Sequence, residues 1–139
     1  MTSSIARPAS LTPALSATPA AADQPRFDAE RLDVYQVALE FQVLSATLLP
    51  RRGQSALRDQ LDRASASILL NIAEGAGRCS PPDKARFYAI ARGSATECAA
   101  IVDILLARGL AAAAVCTRAR NLLIRVVQML SKLIARMAS

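Results

Sequence analysis

The side chains able to do chemistry in this sequence are few, and the commonest of them is missing. The chain has no histidine, which excludes Ser-His-Asp and Cys-His catalysis and an imidazole metal site. Ser65, Ser67 and Ser94 therefore have no imidazole to activate them. Cys79, Cys98 and Cys116 lie far apart, with no CxxC and no metal-ligand spacing. They read as reduced packing thiols of a cytoplasmic protein, not as a disulfide framework. Gly75-Ala76-Gly77-Arg78 is not a phosphate loop, because it lacks the GxxxxGK[ST] pattern and follows a helix. No cofactor and no metal is expected. The candidates for acid–base work are a pair of carboxylates, Glu74 and Glu97.

Those two belong to a polar group at positions that otherwise read as helix interior: Asn71, Glu74, Arg78, Arg92, Ser94 and Glu97. One reading is an active site built on the paired carboxylates. The other is a buried or half-buried network that fixes helix register. Networks of the second kind commonly serve packing specificity, so the expectation is a structural network and no enzyme. Gly93 sits within the same stretch, inside a helix, where glycine costs about 0.8–1 kcal/mol against alanine. Close backbone packing is its expected reason.

A second constellation is made of charge. After Asp103 the chain has no acidic residue, yet it carries Arg118, Arg120, Arg125, Lys132 and Arg136. At the helical angle per residue, Arg118, Arg125, Lys132 and Arg136 fall within about 40° of one another, in a row roughly 27 Å long. The apolar stripe of that segment is centred roughly 100° away. Arginine suits phosphate through its bidentate fork. The alternatives are a solvated face, or one neutralised by an acidic helix of a neighbouring subunit. No aromatic pair or zinc finger supports base-specific reading, so binding would be electrostatic and salt-sensitive.

The elements that must position these residues follow from composition and punctuation. The 139 residues carry 17 Lys+Arg against 11 Asp+Glu, a net charge of +6, and are 53% hydrophobic but 4% aromatic. That length suits one domain. Residues 1–26 are rich in Ala, Ser, Thr and Pro, with Pro8, Pro13, Pro19 and Pro25 interrupting any helix. They read as a disordered tail, without a signal peptide. No segment reads as a membrane span.

Residues 27–139 read as four helical segments. Segment one runs from about Asp28, its expected N-cap, to Leu49 and stops at Pro50. It is acidic, and apolar all round, which points to a subunit contact. Segment two runs from about Ser55 to Glu74, with Gly75 as C-cap. Segment three follows a Ser80 N-cap and Pro81-Pro82, with Phe87, Ile90, Ala91, Ser94, Cys98, Ile101 and Leu105 inward, and ends at Gly109. Segment four runs from about Ala112 to Met137. Matched lengths and short turns predict an all-α, antiparallel up-down-up-down four-helix bundle.

These motifs resemble a known family. Leu32-Asp33-Val34-Tyr35, Leu57 through Ala64, Asn71-Ile72-Ala73-Glu74-Gly75, Gly77-Arg78 and Ala91-Arg92-Gly93-Ser94 follow in its order, with Phe27, Phe87 and Glu97. The sequence resembles the bacterial four-helix bundles named for the intervening sequences of 23S ribosomal RNA genes, also known as the S23 family. The accessory variability determinant of diversity-generating retroelements is a related bundle. The resemblance covers about residues 27–137 and implies a ring-shaped homopentamer without catalytic residues. Nucleic-acid binding by the retroelement relative implies a similar role here.

The expected protein is thus a non-enzymatic, cytoplasmic oligomer that binds nucleic acid, RNA before DNA, through Arg118, Arg125, Lys132 and Arg136. The alternatives are a protein-interaction scaffold and, more remotely, an enzyme using Glu74 and Glu97.

Overall fold

The structure is a computed structural model that describes residues 24–49 and 52–139. The tail expected over residues 1–26 lies outside the described residues as far as residue 23, as does the stop at Pro50. Among the described residues the fold is all-α, with no strand. A 3₁₀ turn at Asp28–Arg31 precedes four helices: α1 Asp33–Ser45, α2 Ser55–Gly77, α3 Pro81–Ala107 and α4 Ala113–Met137.

Segment one is the largest departure from the sequence reading. It is not one helix from Asp28 but a 3₁₀ turn, an extended Leu32 (ψ 127°) and the 13-residue α1. Leu32, not Asp28, occupies the N-cap of α1, and it makes no side-chain cap bond. No glycine or proline marks the break. It lets Ala29 bury where the turn packs on α2, while Leu32 folds back against the core. The four helices are consequently not matched in length.

The other boundaries follow residue chemistry more closely. Gly53 (φ 79°) and Gln54 (φ 56°) turn the chain into α2 in the left-handed region. Glycine adopts that region at no steric cost. Ser80 caps α3 by accepting from the Asp83 amide at 3.2 Å, with prolines in the first turn. Gly109 (φ 67°) ends α3, where Leu110 N–H donates to Leu105 and Gly109 N–H to Leu106. That pair of bonds is the Schellman arrangement and satisfies two of the carbonyls orphaned at the helix end.

Gly75 is not a C-cap. Helix α2 continues through it to Gly77. A Cβ built on Gly75 would lie 2.9 Å from Tyr88 Cε1 and 3.1 Å from Phe87 Cβ. Glycine is there because α3 approaches too closely for any side chain. Gly93 is the converse: an added Cβ meets nothing within 4 Å, so the close packing expected there is absent within the chain.

The helices close a ring of neighbours: α1 touches α2 and α4, and α3 touches α2 and α4. Phe41, Leu61, Ile68, Ile72, Leu105, Leu123 and Leu130 lie fully buried at its centre. Each such side chain contributes about 1.5–3 kcal/mol by leaving water. The inner stripe of α3 is Tyr88, Ala91, Ala95, Cys98, Ile101, Val102 and Leu105. It is rotated from the expected one, so Ile90 stands 43% exposed and Phe87 is half-buried.

Candidate nucleic-acid interface

Helix α4 is the most clearly two-sided of the four. Cys116, Ala119, Leu123, Val126 and Leu130 bury against the core. Arg118, Arg125, Lys132 and Arg136 are all exposed. The row lies about 135° around the helix from the buried stripe. It points further outward than expected because Leu122 and Leu133 are only half-buried margins of that stripe. None of the four makes an ion pair among the described residues. Arg120 differs: it turns toward α3 and meets Asp103 at 3.7 Å. Beside that bridge, a cavity of about 200 Å³ opens between α3 and α4, lined by Ala95, Ala99, Leu123, Ile124 and Val127 among others. It is apolar, and Asp103 already engages the arginine at its edge.

The expected polar network does not form as one unit. Ser67 and Ser94 hydroxyls meet at 2.8 Å across the α2–α3 seam, and Asn71 Nδ2 donates to Ser67 O (2.8 Å) and Oγ (3.0 Å). Arg92 reaches the other way and donates to Ser131 on α4 at 3.2 Å. Glu74 pairs with Arg78 one turn along the surface. Glu97 accepts from Gln60 at 3.4 Å. Glu74, Arg78 and Glu97 are exposed, not buried. Gln60 lies about four turns, roughly 21 Å, along α2 from Glu74, so the two carboxylates do not share a site. The acid–base pair suggested by the sequence is not assembled.

What the polar residues build instead is the corner between α2 and α3. Lys84 Nζ donates to Ala76 O at 2.7 Å and Gly75 O at 3.3 Å, placing a cation on the carbonyl end of α2. That position also favours the helix dipole. Arg78 and Arg86 lie over the Phe87 ring at 4.8 and 4.4 Å from its centre, a cation–π arrangement. Sequence reasoning named Arg78 and Phe87 but missed Lys84, Arg86 and Tyr88. The spacing within α3 carried no signal for Lys84 and Tyr88, since what they meet, the Gly75 and Ala76 carbonyls and Gly75 itself, lies at the end of α2.

Two groups are shifted by the interior. Burial pushes the Cys98 thiol up to about 12, with Glu97 beside it adding to the rise. Burial and then the Asp28 carboxylate raise Tyr88. Cys116 is buried and Cys79 is exposed. Among the described residues no group of three His, Cys, Asp or Glu is placed to hold a metal ion. No helix among them is long and apolar enough to cross a membrane.

The sequence family described as 23S rRNA-intervening sequence protein matches residues 30–132, from the 3₁₀ turn into the last turns of α4. No curated protein matches the chain.

Proposed function

This chain belongs to the 23S rRNA-intervening sequence protein family, and on that premise we propose that it is a non-enzymatic nucleic-acid-binding bundle, RNA before DNA. The observation that carries the reading is the outward row of α4. Four cations point one way, with no carboxylate of the described chain to neutralise them. Arginine and lysine held so contact phosphate oxygens without reading bases. The family's name associates it with ribosomal RNA, which favours RNA as the partner. A cytoplasmic location follows from the same reading.

The proposed architecture is an up-down-up-down bundle. Contacts between α2 and α3 pair residues in opposite chain order (Gln60 with Glu97, Ser67 with Ser94), as do those between α3 and α4 (Arg92 with Ser131, Asp103 with Arg120). We further propose that the bundles assemble into a ring-shaped homopentamer. Its support is apolar surface without a partner in the chain: Val43 of α1 is 70% exposed and Leu70 of α2 is 68% exposed. The same surfaces would suit a protein scaffold, the second reading.

Filter binding of the purified protein to RNA and to duplex DNA at about 50 mM salt tests the main reading. Saturable binding that weakens steeply with salt is expected. Absence of binding to either overturns it, and a protein partner that survives nuclease treatment then favours the scaffold. Light scattering tests the assembly; a monomer at micromolar concentration contradicts the ring.

A further inference from the structure

We infer that the nucleic acid fitting α4 is a duplex held by its phosphates, and not a single strand. This rests on the α4 reading proposed above and goes one step beyond it. Single-stranded binding needs two things: a basic groove that tracks a flexible backbone, and aromatic faces on which bases stack. Neither accompanies the row.

The cations stand on the outward side of α4, away from the concavity beside it. That concavity, between α3 and α4, is lined by Ala95, Ala99, Leu123, Ile124 and Val127, and its Arg120 is bridged to Asp103. A strand entering it would lose hydration and gain no free cation. Helix α4 contains no aromatic residue. Elsewhere, Phe41 and Tyr88 are buried, Tyr35 of α1 is half-buried against the core, and Phe87 lies under two guanidinium groups. Phe27 is exposed, but it precedes the 3₁₀ turn, which packs on α1 and α2.

A duplex asks for what is present. It is stiff, and its phosphates lie on the outside of a cylinder. Over a row of roughly 27 Å, a duplex offers on the order of 16 phosphates, at about 1.7 Å of axis per charge. Four side chains projecting from one straight helix can then all find acceptors without the partner bending. The wide, shallow minor groove of A-form RNA presents both strands' phosphates to such a ridge. The gain from released counterions is also larger per contact on a duplex than on a single strand.

The test is a titration of the full chain with an RNA duplex of about two turns and, separately, with one of its strands, of unstructured sequence. At about 100 mM salt the duplex should bind at least tenfold tighter, with a log–log salt slope steeper by the ratio of about 0.9 to 0.7 per contact. Equal or tighter binding of the single strand overturns the inference while leaving the α4 reading intact. Binding of neither overturns both. A variant carrying R118Q, R125Q, K132Q and R136Q, with helical content checked by circular dichroism, should lose about 3 to 4 units of duplex salt slope. Unchanged duplex affinity in that folded variant would place the contact elsewhere and overturn the inference.

Discussion

The α2–α3 corner and the outer face of α4 are both dense in polar and basic side chains, but they use them in opposite ways. At the corner every notable residue has a partner in its own chain. Lys84 bonds the last carbonyls of α2, Arg78 pairs with Glu74, and Arg78 and Arg86 cover Phe87. Gly75 has no side chain because Tyr88 occupies the space. On α4 the four outward cations have no carboxylate partner among the described residues. The corner holds much of what makes the sequence recognisable, Asn71 to Gly75 and Gly77-Arg78. The recognisable residues at the corner therefore serve the fold, whereas the residues of the outward row follow no motif at all. A donor already satisfied inside the chain is not also available outside it.

The sharpest way to break this comparison is at Gly75. Gly75→Val drives methyl groups into the buried Tyr88 ring, which has no free side to move to. Overpacking of this kind costs roughly 2–3 kcal/mol, read as a fall in thermal or urea midpoint. The nucleic-acid affinity of the protein that remains folded should not change. A variant of native stability would mean that the corner gives way easily, and that its motif is not kept by packing.

A somewhat smaller effect is expected from pH. The Cys98 thiol is fully buried and its folded value lies near 12, above its ordinary value of 9.0. The folded state thus holds a proton that the unfolded chain releases. Stability is complete below about pH 9 and declines as pH rises toward 12, by about 1.4 kcal/mol per unit for one such group. Between pH 9 and 10.5 that amounts to about 2 kcal/mol. Urea midpoints of wild type and Cys98→Ala across this range should converge. Parallel curves would show that Cys98 ionises without unfolding.

How much of this was legible in the sequence depends on whether the signal is local. The starts of α2, α3 and α4, the Ser80 cap and the Gly109 stop were readable from period and punctuation, whereas the end of α2 was not, because Gly75 reads as a cap and helix continues through it to Gly77. The break at Leu32 was not, because segment one is apolar on every face and has neither glycine nor proline to mark it. The basic row was visible because a single helix carries it. Its freedom from partners was not, since Asp103 could have turned to any arginine and chose Arg120. Likewise Glu74 and Glu97 suggested a pair only while their separation along α2 was unknown. Glycine was the most ambiguous letter: sequence alone does not say whether it serves a left-handed turn (Gly53, Gly109), a close approach (Gly75) or neither.

Gly93 is that last case, and it decides on which side of the comparison a recognisable residue falls. It lies in the interior of α3, exposed, with open space where a Cβ would stand. If the single bundle were the whole context, Gly93→Ala would remove glycine's excess backbone entropy and add nothing that clashes. The expected outcome in the isolated chain is a gain of up to about 1 kcal/mol, measured as a higher urea midpoint. In the proposed ring a second measurement applies, the concentration at which subunits dissociate. A methyl group that stabilises the fold yet weakens assembly would put Gly93 at a subunit contact, level with the exposed Ile90 on the same helix. Gly93 would then serve close approach as Gly75 does, but toward another copy. A gain in both measurements would leave Gly93 with no packing role, and the division between inward motif and outward row would need to be redrawn around it.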